Sequence, residues 1–122
     1  MCIRDSLHAG ASWVAEYGDP DVPTDAEHLR TYSPYALVRE NGHYPRVLFT
    51  TATSDDRVGP EQARKMAARM RDWNLPGVLF YENRQGGHGG SGDNAEAARL
   101  AALGYEFLWR AVLDEPDPAP AA

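Results

Sequence analysis

The sequence predicts an α/β fold: two parallel strands with flanking helices and an incomplete sheet. Two short apolar runs, VLFTTA from Val47 and VLFYE from Val78, are contiguous rather than alternating, as buried parallel strands are. Between them Ala63, Met66, Ala67, Met70 and Trp73 recur at helical spacing, with Glu61, Arg64, Lys65, Arg69 and Arg71 mostly off that stripe. The second run is followed by a glycine-rich loop and a long helical stripe from Ala97 to Ala111. Strand, helix, strand, helix with a right-handed crossover makes the strands parallel. Two strands and two main helices cannot cover both faces of such a sheet. Some apolar surface must therefore meet another part of a larger protein, or a partner chain.

The bulk properties narrow the function classes. The 122 residues suffice for one small domain or part of a larger one. At 43% hydrophobic and 25% charged, the composition is that of an ordinary soluble protein, neither disordered nor fibrous. A net charge of −6 gives no reason to expect nucleic acid or an anionic membrane as partner. No apolar run approaches the roughly 20 residues that span a bilayer. The single cysteine, Cys2, cannot form an intramolecular disulfide.

The chain divides into three parts. Residues 1–8, beginning MCIRDS, carry charges of both signs and no periodic pattern, and are expected to be a non-native or truncated start. Residues 9–113 form the folded portion. Residues 114–122, ending DPAPAA, lack core-forming side chains and are expected to be a disordered Pro/Ala tail.

Within the folded portion, Trp13 and Tyr17 lie four apart and share one face if Leu7 to Asp21 starts as a short helix, which Gly18-Asp19-Pro20 breaks. Such aromatic pairs are most often packing. Thr24 with Glu27 has the spacing of a capping box, predicting a helix that starts there and ends at Ser33-Pro34. Tyr35 to Gly42 reads as loop. Arg46 to Ala52 is the first strand, and Gly59-Pro60 opens the next helix with proline at its first position. Asn74 to Gly77 stops that helix, and Val78 to Glu82 is the second strand. Asn83 to Gly92 is the glycine-rich loop. Asp93, with Glu96 three residues on, caps the last helix.

Two polar positions follow the two strands. Asp55 and Asp56 come after the first, and His88, in QGGHGG, after the second. Open α/β sheets build sites past the carboxyl ends of their strands. A carboxylate there could accept the Nδ1–H of a histidine, fixing its tautomer and stabilising the imidazolium. Equally, the aspartates could simply charge the loop before the helix, where negative charge is favourable. The glycines around His88 suit a loop that aims one ring, or merely a flexible surface loop. Arg57 could donate several hydrogen bonds to a carbonyl, or be a solvated loop charge. Asp55, Asp56 and His88 form a weak candidate metal site, since no other histidine or cysteine has ligand-like spacing. His8, His28 and His43 receive no role.

Taken together, the stretches AGASWVAEYGDP (9–20), YSPYALV (32–38), YPRVLFTTATSDDRVGPEQARKMAARM (44–70) and GGHGG with its following helix resemble the C-terminal part of the catalytic domain in the prolyl oligopeptidase family of serine peptidases. DDRV after a strand, EYGDP after the tryptophan and GHG after the next strand are its most specific parts. The resemblance implies an α/β-hydrolase fold and a Ser–Asp–His triad acting without metal or organic cofactor. It makes Asp55 the triad acid and His88 the general base and acid. Arg57 becomes a substrate-anchoring arginine, Trp13 and Tyr17 become walls of the pocket for the residue before the cut, and Asp56 keeps a structural role in its loop. It further implies short peptides cut after proline, and partners in the rest of the catalytic domain and a β-propeller lid. None of Ser6, Ser12, Ser33, Ser54 and Ser91 lies in G-x-S-x-G, so the nucleophile is expected upstream of these residues, and the chain alone is expected to be inactive. The missing nucleophile motivates one alternative, a non-catalytic binding or assembly module docking through its apolar sheet face.

Overall fold

The computed structural model describes residues 8–89 and 91–113. The expectations for residues 1–7 and for the tail 114–122 lie outside the described residues.

A 3-10 turn, His8–Trp13, runs into a single turn of helix, α1 (Val14–Tyr17). The helix expected to begin near Leu7 is thus mostly of the tighter kind. Gly18 ends it at φ 98°, a conformation that L side chains rarely adopt. The following turn folds over α2 (Pro23–Tyr32), where the Asp25 carboxylate accepts from the N–H of Asp19 at 2.9 Å. That bond accounts for a correction. The Thr24–Glu27 capping box does not form, and α2 starts with Pro23 in its first turn and Val22 as its cap residue. Ser33, extended at φ −69° and ψ 117° before Pro34, closes α2. Pro34 then opens α3 (Pro34–Leu37) inside the segment expected to be loop, because proline's fixed φ favours a helical first turn as readily as it stops the preceding helix.

Strand β1 (Val47–Ala52) pairs in parallel with β2 (Val78–Asn83), in the register Val47↔Val78 through Ala52↔Asn83. Helix α4 (Glu61–Asp72) makes the crossover, capped by Pro60. It ends where Asn74 takes φ 53° and Gly77 φ 71°. Gly77 is required there, since a Cβ would lie 2.8 Å from the Arg46 Cγ. Helix α5 (Asn94–Val112) follows the glycine-rich loop, and its Asp93 cap accepts from the N–H of Glu96 at 2.8 Å, as predicted.

The two main helices reach opposite faces of the sheet. Side chains alternate along a strand, so Glu82 and Tyr81 point to different sides. Glu82 meets Arg64 of α4, and Tyr81 meets Arg99 of α5. On the α4 side Val38, Met70 and Leu75 form a small core, with Val47, Phe49, Met66, Trp73 and Val78 packed against it. Arg69 braces this side by stacking on Tyr35, 3.6 Å from the ring centroid, and donating to the Tyr35 carbonyl at 2.7 Å. Contiguous apolar runs predicted burial on both faces, but among the described residues Ala52 and Asn83 alone in the strands are buried. The described elements cover each face in part. On α5, Tyr105, Trp109 and Val112 are 73%, 65% and 81% exposed.

Candidate active site

The last rung of the sheet, Ala52↔Asn83, is continued by a hydrogen bond from the Thr53 N–H to the Asn83 carbonyl at 2.8 Å. The two chain segments therefore leave the sheet side by side. Three residues past Ala52 comes Asp55, and five past Asn83 comes His88. Gly86 takes φ 140° on the way, and Gly87 passes close to the Ser54 carbonyl, only 3.4 Å from where a Cβ would sit. Of the two, Gly86 is the position where the path needs glycine, since L side chains rarely adopt its φ.

His88 Nδ1 lies 3.0 Å from Asp55 Oδ2 and 3.1 Å from Oδ1. With the proton on Nδ1, the imidazole donates to the carboxylate and its Nε2 keeps a free lone pair, the state in which it can accept a proton. Asp55 is itself held: the N–H groups of Val58 and Arg57 donate to Oδ1 at 2.8 and 3.0 Å. The Asp55 side chain is 13% exposed and that of His88 44%, so the acid is sheltered and the ring is open on one side. Partial burial pushes the Asp55 carboxyl upward. The Val58 N–H, the His88 ring and the Arg57 N–H outweigh it, and the group stays ionised below its ordinary range.

Beneath the pair a cleft of about 410 Å³ is lined by Thr50 of β1, Gln62 of α4, Asn83 and Leu100, together with Asp55 and His88. Of the residues singled out in the sequence, these last two are brought together. Arg57 reaches Asp55 through its backbone, while its exposed side chain does not line the cleft. Trp13 and Tyr17 pack on each other, with ring centroids 5.9 Å apart and planes tilted by 39°, and neither lines the cleft. Asp56 is exposed. Among the described residues no group of three His, Cys, Asp or Glu side chains is arranged to hold a metal ion.

Sequence reasoning missed the supports behind the pair. Glu82 accepts from Arg64 Nε at 2.9 Å and Nη2 at 2.5 Å, and from the Thr53 hydroxyl at 2.6 Å. These bonds tie α4, β2 and the start of the Asp55 loop together. Arg64 and then Thr53 hold the Glu82 carboxyl down to about 2. On the far side of the His88 loop, Arg99 grips Glu96 at 2.9 and 3.0 Å and also reaches the Tyr81 hydroxyl, anchoring the start of α5 to β2. A charged residue inside an apolar strand, as Glu82 is in VLFYEN, was the available signal for such a brace.

Comparison with known proteins gives the family and the fold. The sequence model of the prolyl oligopeptidase family matches residues 1–114. Uncharacterized peptidase y4nA of Sinorhizobium fredii is 47% identical over 108 residues, which make up 88% of this chain and 15% of that protein. Prolyl oligopeptidase A of Amanita bisporigera is 34% identical over 102 residues, 80% of this chain and 13% of its own. A solved structure from a structural and mechanistic analysis of two prolyl endopeptidases has a TM-score of 0.78 at 37% identity, covering 86% of this chain and 16% of its own. A post-proline cleaving enzyme from Rickettsia typhi gives a TM-score of 0.73 at 32% identity, covering 88% and 16%. The chain thus spans about 15% of the length of the curated relatives it matches. Its two parallel strands and flanking helices are part of an α/β-hydrolase fold. With a family match over nearly its whole length and solved relatives sharing its backbone, the chain belongs to the prolyl oligopeptidase family.

Proposed function

We propose that this chain supplies the acid and the histidine of a serine peptidase that hydrolyses peptide bonds in short peptides, after proline, with the nucleophilic serine contributed from outside these 122 residues. The observation that carries this reading is the Asp55–His88 contact at 3.0 Å, formed just past the carboxyl ends of two adjacent parallel strands. In this role His88 Nε2 takes the proton of the serine hydroxyl as it attacks the peptide carbonyl. The same nitrogen then returns the proton to the leaving amine. Asp55 keeps Nδ1 protonated and stabilises the imidazolium between those two transfers; the carboxylate itself stays ionised.

Arg57, carried on the turn that holds Asp55, donates from its exposed guanidinium to a substrate carbonyl near the scissile bond. Trp13 and Tyr17 form the wall of the pocket for the residue before the cut, where an indole stacks on a proline ring. The remainder of the catalytic domain and a β-propeller that limits access to short peptides complete the enzyme. Support for proline preference comes from the relatives, several of which are named prolyl oligopeptidase or prolyl endopeptidase.

The test uses the complete protein that contains this chain. A serine-directed fluorophosphonate should label it, and a fluorogenic peptide should be cleaved after proline. His88→Ala should abolish turnover while leaving the protein folded. Near-normal turnover by His88→Ala would refute the assignment.

A further inference from the structure

We infer that Asn83 is a positioning residue for His88: its buried carboxamide clamps the first turn of the loop that carries the imidazole and so sets where the ring sits against Asp55. This rests on the reading of His88 as the general base. Asn83 is 3% exposed and is the one buried polar residue among the described residues. It occupies the last rung of β2, opposite Ala52, and its carbonyl already accepts from the Thr53 N–H. Its side chain turns forward along the chain. Oδ1 accepts from the Gln85 N–H at 2.9 Å, and Nδ2 donates to the Gln85 carbonyl at 2.9 Å.

One side chain thus satisfies both main-chain groups of a single loop residue, and this requires a donor and an acceptor on the same planar group. Asparagine provides both; leucine, with the same branching and number of side-chain heavy atoms, provides neither. The clamp sits where the loop most needs one. Directly beyond Gln85 the backbone enters Gly86 at φ 140° and then Gly87, two residues with no side chain of their own to anchor the path to His88. Asn83 also lines the cleft, together with Asp55 and His88. Its effect on the chemistry passes through the Gln85 backbone and the two glycines to the ring. It is therefore a positioning residue and not a catalytic one.

Asn83→Leu, in the complete protein, keeps the branched shape of the side chain and removes both bonds. A loop released at Gln85 misplaces the ring, and a displacement of about 1 Å lowers rate by about 100-fold. The expected result is a fall in kcat of that order at unchanged KM, because the groups proposed to hold substrate, Arg57, Trp13 and Tyr17, lie on other segments. The Nδ1–H resonance of His88 should broaden or vanish in the same variant. Should Asn83→Leu fail to fold, hydrogen exchange in the unaltered protein decides: the Gln85 amide must be protected like those of β2. A wild-type kcat in folded Asn83→Leu, or free exchange at Gln85, overturns the inference. Its failure is distinct from failure of the peptidase reading, which would show instead as an active His88→Ala protein.

Discussion

Replacing Asp55 by asparagine tests the orientation of the histidine most sharply, because the two carboxylate oxygens are not equivalent. Oδ1 receives the N–H groups of Val58 and Arg57 and lies 3.1 Å from His88 Nδ1, whereas Oδ2 lies 3.0 Å from Nδ1 and takes neither of those backbone N–H groups. In Asp55→Asn the carboxamide oxygen must stay at the Oδ1 position to serve both backbone donors, which puts the NH2 group against Nδ1. The NH2 at the Oδ2 position favours a ring that accepts at Nδ1 and carries its proton on Nε2, the wrong tautomer for taking a proton from a serine, in competition with the bond Nδ1–H can still donate to the oxygen at the Oδ1 position. Flipping the amide would restore the tautomer but leave two backbone N–H groups facing an NH2. At about 1–3 kcal/mol for each unsatisfied donor, the flip costs about 2–6 kcal/mol. At about 1.4 kcal/mol per tenfold, the flipped form is then a minor one by a factor of about 30 to 10⁴. The upper figure matches the loss of about 10⁴ in kcat that this substitution produces in serine-protease triads. The assay is kcat on a proline-containing fluorogenic peptide with the complete protein, alongside its thermal midpoint. A folded variant that loses less than about tenfold would show that Asp55 does not set the tautomer and would refute the reasoning.

Three further perturbations address the supports. Glu82 is held down to about 2 from an ordinary 4.5, so its contribution to stability is complete above pH 4.5 and disappears as pH falls toward 2. Melting across that range should therefore show a fall for the natural protein that Glu82→Gln flattens. Asp93→Ala removes the cap on α5 and should lower stability by about 1 kcal/mol, measured by denaturant unfolding. The exposed apolar face of α5 should make the 122-residue chain self-associate when isolated, seen by sedimentation, and Leu108→Glu with Trp109→Lys should reduce it.

The backbone plan was legible because it rests on periodicity and local chemistry. Val47–Phe49 and Val78–Phe80 announce strands by their unbroken apolar runs, Met66 and Met70 announce the buried face of α4, and Asp93 with Glu96 announces the last helix start. The failures have one source, competition from residues outside the local window. Thr24 has capping-box spacing, yet Pro23 already supplies a first turn and Asp25 turns back to the Asp19 N–H. Pro34 was read as a stop and is also a start. The strands are only partly buried because burial depends on what lies against them, which periodicity does not encode. In the site, Asp55 and His88 could be singled out because each follows a strand. Asn83, Arg64 and Thr53 could not, since a single bonded side chain leaves no repeating pattern.

Why the pair meets at all follows from the register. Paired in parallel, β1 and β2 end on the same rung, so their exits start a strand spacing of about 5 Å apart and point the same way. From Ala52, three residues bring the chain to Asp55, where two backbone N–H groups fold the turn back onto its own carboxylate. From Asn83, five residues lead to His88, and the longer path must bend across the shorter one to bring Nδ1 to the acid. That bend demands backbone freedom, supplied by Gly86 at φ 140°, and freedom that close to a reacting group must be confined on both sides. Asn83 confines it before the glycines, and the Arg99 contacts to Glu96 and Tyr81 confine it after them. A one-residue slip of β2 against β1 would move His88 by about 3.3 Å along the strand, beyond hydrogen-bond reach of Asp55. The Thr53–Glu82–Arg64 contacts, which join both strand ends to α4, oppose that slip and so link the order of the sheet directly to the chemistry of the ring.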